Sequence, residues 1–220
     1  MSLVHDVIQY YAARAPIFDE TAGYSNQEEE YFREPIKARY RKLFAGHNVL
    51  EVACATGYWT ATVAKTAKAV LAVDINASLL AQAKNRCKHF SNVTFQVADA
   101  YTLSGIPSGF SAAYAILWWS HIPKERTIDF LRVLHLRLLP GAFVMFVDQL
   151  PIDGHILRNG ENGNTLEKRV LPDGRSFEIV KNFPSEKDII NILAGMAENI
   201  EYIKHPEEKS WNVTYNVKKG

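Results

Sequence analysis

The sequence is poor in cysteine and carries almost no net charge. Its 220 residues include only two cysteines, Cys54 and Cys87, and its 25 basic and 24 acidic residues give a formal net charge of +1. Two distant cysteines predict neither a disulfide framework nor a zinc-ligand spacing, so we expect no metal site. General nucleic-acid binding usually requires a marked basic excess or stripe. We therefore expect no nucleic-acid partner.

Long apolar runs are also missing. No stretch approaches the roughly 20 apolar residues that a membrane-spanning helix needs, and the N-terminus lacks the charged and apolar regions of a signal peptide. We expect a cytoplasmic protein that makes no membrane contact and acts as a monomer or a homodimer. A chain of 220 residues is most simply a single domain with a full core.

Residues 49–147 have the pattern of alternating strands and helices. Apolar runs of strand length are separated by segments with helical spacing. The predicted strands are 49–53, 69–74, 93–98, 110–117 and 142–147, and the predicted helices between them are 58–67, 77–87 and 123–139. Asn76 is a predicted N-cap, and Pro140-Gly141 is predicted to end the last helix. This alternation predicts a doubly wound parallel sheet between helical layers.

Different patterns flank this core. Residues 1–45 are predicted to be helical, with an interruption at Pro16. Residues 150–183 are predicted to contain an inserted hairpin around a Pro-Asp-Gly turn at 172–174. The chain then closes with a predicted helix at 185–199, begun by the capping residues Ser185 and Asp188, and with antiparallel strands at 200–204 and 211–217.

The residues after the first predicted strand combine an acid with small side chains. Glu51 interrupts the apolar run, and Ala53, Ala55 and Gly57 follow at alternate positions. Small residues let a ligand approach the backbone closely, and the start of the next helix offers unpaired N–H groups. A buried carboxylate needs a partner, for which a cationic ligand is one candidate.

This stretch resembles motif I of the class I S-adenosylmethionine-dependent methyltransferases, usually written (D/E)-x-G-x-G-x-G. Ala53 and Ala55 replace the first two glycines, and only Gly57 is retained. The resemblance implies a three-layer α-β-α, Rossmann-like fold with a mostly parallel seven-stranded sheet and a C-terminal antiparallel hairpin. It also implies that S-adenosyl-L-methionine is the cofactor and that its methyl group goes to a nucleophile on a small-molecule substrate.

Two further strand ends fit the same resemblance. Asp74 corresponds to the acid that accepts hydrogen bonds from the ribose hydroxyls, and Ile75 would pack on the adenine. Asp99 and Ala100 correspond to the residues that contact the adenine edge. Because ligands of open parallel sheets bind beyond the carboxyl ends of the strands, we expect these groups to surround one cleft.

The end of the fourth strand corresponds to motif IV and supplies the catalytic candidates. Leu117 is predicted to contact the cofactor. Trp118 is a candidate for cation–π contact with the sulfonium. His121 is a candidate general base because the ordinary pKa of histidine lies near neutrality, although a helix-capping role fits equally well. His155 and Arg175 are further candidates for substrate contacts.

The N-terminal segment adds candidate contacts from a helical lid. Residues 9–20 resemble the Tyr-x-x-x-Ala-x-x-Tyr-Asp opening of many small-molecule methyltransferases, with Phe18 in place of the later tyrosine. The resemblance implies that Tyr11 and Arg14 contact the cofactor or the substrate.

Other functions remain open at this point. An NAD-dependent dehydrogenase would need G-x-G-x-x-G at the first turn, where this chain has Ala53, Ala55 and Tyr58. A non-catalytic sensor or scaffold of the same fold is compatible with the two alanines. Methyltransferases that act on planar amines of nucleic acids or proteins carry Asn/Asp-Pro-Pro-Tyr/Phe after the fourth strand. They are disfavoured here because residues 117–120 read Leu-Trp-Trp-Ser.

Overall fold

The structure is a computed structural model that describes residues 3–152 and 157–218, so the candidate His155 lies outside the described residues. Within the described residues, ten strands form two sheets. The strands are β1 (Asn48–Val52), β2 (Ala69–Asp74), β3 (Val93–Val97), β4 (Phe110–Ile116), β5 (Leu138–Gln149), β6 (Leu157–Asn159), β7 (Thr165–Val170), β8 (Ser176–Val180), β9 (Ala197–His205) and β10 (Ser210–Val217).

The larger sheet has seven strands in the order β3-β2-β1-β4-β5-β10-β9. Strands β1 to β5 are parallel to their neighbours, whereas β10 runs antiparallel to both β5 and β9. This arrangement confirms the predicted doubly wound, mostly parallel sheet with an antiparallel C-terminal hairpin. The strand order reverses between β1 and β4, which is where open α/β sheets bind ligands.

Helices cover both faces of this sheet. They are α1 (Leu3–Arg14), α2 (Phe18–Thr21), α3 (Gln27–Leu43), α4 (Tyr58–Val63), α5 (Ala77–Arg86), α6 (Thr127–His135) and α7 (Glu186–Leu193). Side chains such as Phe130 and Leu193 pack α6 and α7 on one face, and Tyr40, Val63 and Leu80 pack α3, α4 and α5 on the other. Among the described residues, no helix combines the length and apolarity that crossing a membrane requires.

A smaller antiparallel sheet, in the order β6-β7-β8, is inserted after β5. The predicted hairpin corresponds to β7 and β8. Strand β6 is an additional short strand that was not predicted, because its residues are all exposed and show no apolar alternation. Helix α1 packs on this sheet through Val7 and Tyr10, which contact a cluster containing Leu166, Ile179 and Val180. We call α1 with β7, β8 and the residues directly after β8 the roof.

Two predicted boundaries are wrong. The predicted helix 123–139 becomes one turn of 3-10 helix at Lys124–Arg126 followed by α6, and β5 begins at Leu138, before the proline that was expected to separate helix from strand. The pairing of β4 with β5 shifts register between Phe110 and Ala112. Such an irregularity accommodates Pro140, which cannot donate to a ladder, and Gly141, whose φ is 79°.

The C-terminal helix is also shorter than predicted. Helix α7 ends at Leu193, and β9 already begins at Ala197. Its start matches the prediction, because the Ser185 side chain accepts from the backbone N–H of Asp188 and the Asp188 side chain accepts from the backbone N–H of Ser185. Asn76 does occupy the N-cap position of α5, but its side chain makes no capping bond.

Candidate active site

A cleft of about 510 Å3 opens over the carboxyl ends of the central strands, a volume typical of small-molecule sites. The structure brings together nearly every candidate drawn from the sequence. The cleft is lined by Tyr11, Arg14, Glu51, Ala53, Ala55, Asp74, Ile75, Asp99, Ala100, Leu117, Trp118 and His121. Arg175 is a wrong prediction. It lies on the exposed turn between β7 and β8, where it pairs with Asp173 at 2.6 Å.

The turn after β1 keeps a glycine-type backbone at all three motif positions. The φ angles are 56° at Ala53, 48° at Ala55 and 74° at Gly57, all in the left-handed region that disfavours side chains. Gly57 does not line the cleft. A Cβ at Gly57 would lie 2.9 Å from the Cβ of Ala83 on α5, so this position needs glycine for close packing. The turn therefore has left-handed backbone at all three motif positions, although alanine stands at two of them.

Asp74 ends β2 and is held by the turn beside it. Its Oδ2 accepts from the backbone N–H of Ala55 at 3.0 Å, and its Oδ1 accepts from the backbone N–H of Asn76 at 2.8 Å. Burial raises the pKa of Asp74, while these backbone donors oppose the rise. Each carboxylate oxygen retains acceptor capacity. A buried carboxylate fixed in this way can accept two further hydroxyl donors from a ligand in the cleft.

Glu51 finds its partner within the protein. The Thr60 hydroxyl donates to its Oε2 at 2.5 Å. Burial raises the pKa of Glu51 to about 8, and the hydrogen bond from Thr60 opposes this rise. The carboxyl group is therefore mainly protonated at neutral pH, so the charge partner expected from the sequence is not required.

The third strand leads into a further group of cleft residues. Asp99 Oδ1 accepts from the backbone N–H of Tyr101 at 2.8 Å, which fixes the turn that also contains Ala100. Tyr101 is buried beneath the guanidinium of Arg126, 3.7 Å from its ring centroid. Ile75 is 37% exposed at the end of the neighbouring strand. This end of the cleft thus combines an acceptor with an apolar surface for a planar ring.

The two tryptophans after β4 have different environments. Trp119 belongs to the core, with its ring centroid 5.0 Å from that of Phe146 and 6.1 Å from that of Trp211. Trp118 lines the cleft and contacts Tyr101, with ring centroids 6.0 Å apart. Its buried Nε1 has no hydrogen-bond partner among the described residues. Since orphaned buried donors are rare, Trp118 has a donor to offer to a ligand.

His121 connects the segment after β4 with the roof. Its Nδ1 lies 2.7 Å from the carbonyl oxygen of Val180, and its Nε2 lies 2.9 Å from the hydroxyl of Tyr11. A carbonyl can only accept, so we assign the proton to Nδ1, and Nε2 then accepts from Tyr11. Burial, together with the positive charge of Lys181, lowers the pKa of His121 to about 3. The imidazole is therefore neutral at physiological pH.

Comparison with known proteins shows similarity to methyltransferases. Residues 49–141 match the family model described as a methyltransferase domain. A solved structure of a DhpI–SAH complex is 27% identical to this chain and covers 100% of both chains with a TM-score of 0.77. These similarities support a class I S-adenosylmethionine-dependent methyltransferase. A DhpI–SAM–HEP complex, also 27% identical, covers 98% of this methyltransferase and 99% of that chain with a TM-score of 0.75.

Curated relatives share only part of their length with this methyltransferase. Demethylmenaquinone methyltransferase of Tropheryma whipplei (strain Twist) is 46% identical over 55 residues, which are 25% of this chain and 23% of the relative. Protein-L-isoaspartate O-methyltransferase 2 of Polaromonas sp. (strain JS666 / ATCC BAA-500) is 28% identical over 129 residues, 58% of this chain and 59% of the relative. Each match therefore spans less than two thirds of the relative's length.

The cleft of the methyltransferase also contains two cations that were not predicted from the sequence. Lys181, directly after β8, is only 2% exposed, and its Nζ lies 2.8 Å from Ser120 Oγ and 3.5 Å from Asp148 Oδ1. Arg169, on β7, pairs with Glu167 at 2.8 Å. Both cations line the cleft. For Lys181 the sequence offers one indication, which is that this lysine directly follows the alternating segment Phe-Glu-Ile-Val.

Aromatic side chains from the N-terminal helices and α4 were missed as well. Tyr24, Tyr40 and Trp59 line the cleft. The ring of Tyr24 stacks on that of Tyr58 at 3.9 Å, and its hydroxyl accepts from Trp59 Nε1 at 3.2 Å. These contacts place the segment between α2 and α3 at the edge of the cleft.

Proposed function

We propose that this protein transfers the methyl group of S-adenosylmethionine to a nucleophile on a small molecule. The observation that carries the proposal is the convergence of Asp74, Asp99 and residues 53–55 of the first turn on one cleft. Asp74 would accept from the ribose hydroxyls, and Asp99 with Ala100 would contact the adenine. The methionine portion would lie along the turn, near Tyr11 and Arg14 of the roof.

The residues present fit such a cofactor chemically. The left-handed backbone at Ala53 and Ala55 keeps the first turn in the form that a close ligand requires. Asp74 retains acceptor capacity on both oxygens after receiving its two backbone donors. Trp118 offers an indole N–H that has no hydrogen-bond partner among the described residues. Leu117 and Ile75 add apolar contact.

The cofactor supplies the difficult chemistry when bound, because its sulfonium makes the methyl carbon electrophilic. A lone pair of the acceptor forms the new bond to that carbon while the carbon–sulfur bond breaks and its electrons pass to sulfur. The protein has to hold the acceptor in line with this bond and to exclude water. Trp118 is the candidate for stabilising the sulfonium before transfer.

His121 is proposed as a catalytic residue that acts through Tyr11. Its Nε2 carries no proton, the Tyr11 hydroxyl lies 2.9 Å from this nitrogen, and both residues line the cleft. A proton leaving the acceptor would pass to Tyr11 as the Tyr11 proton moves to His121. The low pKa of His121 makes this a weak base, which favours acceptors whose lone pair is already free.

Binding of cofactors tests the proposal against its rivals. A ligand that binds only the folded state raises thermal stability according to its concentration and affinity. We expect S-adenosylhomocysteine to raise the melting temperature saturably and NAD to leave it unchanged. Stabilisation by NAD alone would instead identify the dehydrogenase. Binding of S-adenosylhomocysteine without its release from S-adenosylmethionine, across a panel of O-, N- and C-nucleophiles, would identify the sensor or scaffold.

We also propose a cytoplasmic location and a monomeric or homodimeric state. Cys54 and Cys87 are both buried free thiols, as is usual in a reducing compartment. The net charge of +1 supports a small-molecule partner over a nucleic acid. Light scattering during size-exclusion chromatography measures the oligomeric state directly.

A further inference from the structure

The two sides of the cleft differ in charge. The strand ends contribute the carboxylates Asp74 and Asp99, whereas the roof contributes Lys181 and Arg169. Under the proposed function, the carboxylate side holds the nucleoside of the cofactor. The cations of the roof are therefore available to the acceptor.

Lys181 is a buried cation whose partners within the protein neutralise it incompletely. Its Nζ lies 3.5 Å from Asp148 Oδ1, a long contact for an ion pair. Asp148 already accepts from the backbone N–H groups of Ser120 at 2.8 Å and Gln149 at 2.7 Å. The closest partner of Lys181 is the neutral hydroxyl of Ser120 at 2.8 Å. Burying a cation is costly unless it is paired and fully hydrogen-bonded, so an anion in the cleft would complete its environment.

Arg169 offers a second, independent donor. One of its terminal nitrogens pairs with Glu167 at 2.8 Å, while its Nε is buried and has no hydrogen-bond partner among the described residues. The planar guanidinium carries five N–H donors in a fork that matches carboxylate and phosphate oxygens. An oxyanion beside Arg169 could therefore accept a hydrogen bond from this Nε–H, which has no acceptor among the described residues.

We infer that the methyl acceptor carries an oxyanion, either a carboxylate or a phosphorus oxyanion, that Lys181 and Arg169 hold beneath the roof. This inference rests on the proposed function, because it takes the roof side of the cleft to be the acceptor side. It agrees with the absence of a strong base at His121, because an ionised oxygen brings its own lone pair. It also explains why a buried lysine directly follows the packed end of β8.

Titration calorimetry with saturating S-adenosylhomocysteine tests the inference. The probes are benzoate and phenylphosphonate, with benzamide as the uncharged counterpart of benzoate. The variants are Lys181→Met and Arg169→Gln, and the control is Lys168→Met, which removes an exposed cation from the same strand as Arg169. We expect at least one anion to bind and benzamide not to bind. We expect each variant to weaken anion binding about tenfold or more, while the control leaves it unchanged.

The outcomes separate the possible results. Binding of benzoate alone identifies a carboxylate acceptor, and binding of phenylphosphonate alone identifies a phosphorus acid. Wild-type anion affinity in both variants, binding of benzamide as tight as that of benzoate, or no anion binding to the complex would overturn the inference. If Lys181→Met does not fold, Arg169→Gln decides, because its side chain is partly exposed. Failure of wild-type protein to bind S-adenosylhomocysteine would instead contradict the proposed function.

Discussion

The hydroxyl of Tyr11 donates to Nε2 of His121 across 2.9 Å, and the opposite ring nitrogen of the same histidine donates to the carbonyl of Val180. One neutral imidazole thereby joins α1, the segment after β4 and the inserted sheet. The roof is thus tied to the main sheet at the point where the proposed acceptor and cofactor meet. Loss of either hydrogen bond should affect the position of the roof and the activity together.

Tyr11→Phe tests this connection. The change leaves Nε2 of His121 buried without its donor, at a cost of about 1–3 kcal/mol in the free energy of unfolding. We expect this loss in urea denaturation, together with a clear fall in kcat. Tyr31→Phe is the control, because Tyr31 is 79% exposed and should change neither quantity. Wild-type stability in Tyr11→Phe would show that the hydrogen bond contributes nothing measurable.

Asp74→Ala tests the assignment of the ribose acid. Removing a buried, charged acceptor of two hydroxyl groups should weaken S-adenosylhomocysteine binding by about 2–3 kcal/mol, as measured by titration calorimetry. The exposed acid Asp129 of α6 provides the control Asp129→Ala, for which we expect unchanged affinity. Thermal denaturation of both variants separates lost contacts from lost folding, since Asp74 also accepts from Ala55. Unchanged affinity in a folded Asp74→Ala protein would refute the ribose role.

Glu51→Gln should change the pH dependence of stability. The folded-state pKa of Glu51 is about 8 and its usual value is 4.5, so between these values the folded protein holds a proton that the unfolded chain has released. This stabilising contribution is complete below about pH 4.5 and is lost as pH rises through about 8. Between about pH 5 and pH 7, the wild type should lose up to ~1.4 kcal/mol per pH unit more than Glu51→Gln.

Urea denaturation at several pH values provides the measurement. The exposed residue Glu201 of β9 supplies the control Glu201→Gln, which should follow the wild-type curve. Parallel curves for wild type and Glu51→Gln would mean that Glu51 is ionised in the folded protein at neutral pH. Its burial beside Thr60 would then have to be explained in another way.

Ala53→Gly tests the cost of the altered motif. Alanine at a φ of 56° is strained by roughly 1–2 kcal/mol, whereas glycine adds unfolded-state entropy worth about 0.5–1 kcal/mol. The two effects nearly cancel or slightly favour glycine, so the melting temperature should stay the same or rise. Ala81→Gly on the exposed side of α5 should lower stability by about 1 kcal/mol. An equal loss in both variants would show that Ala53 is unstrained.

The sequence could predict that Asp74 and Asp99 line one cleft because strand ends carry positional information. Asp74 and Asp99 each follow an apolar run, and parallel strands deliver their carboxyl ends to one edge of the sheet. The same reasoning located Trp118 near the cleft. Trp119 belongs to the core instead, because the short 3-10 turn that follows β4 breaks the strand alternation.

The acceptor side could not be predicted, for a physical reason. Lys181 and Arg169 reach the cleft because the inserted sheet packs against α1, and no periodicity in either segment specifies that contact. Arg175 stands only six residues from Arg169 along the same hairpin, yet it lies on the exposed turn. The choice between them depends on the tertiary packing of the insertion, which propensity and spacing do not encode.

The insertion between β5 and α7 has a consequence for how this enzyme fold can diverge. The ends of strands β1 to β4 form the proposed donor side of the cleft, while the roof cations come from the small inserted sheet and the residue directly after it. The whole inserted segment, residues 150–183, could therefore be exchanged as one unit between homologues. Such a graft would retarget methylation to another metabolite and leave recognition of the nucleoside intact.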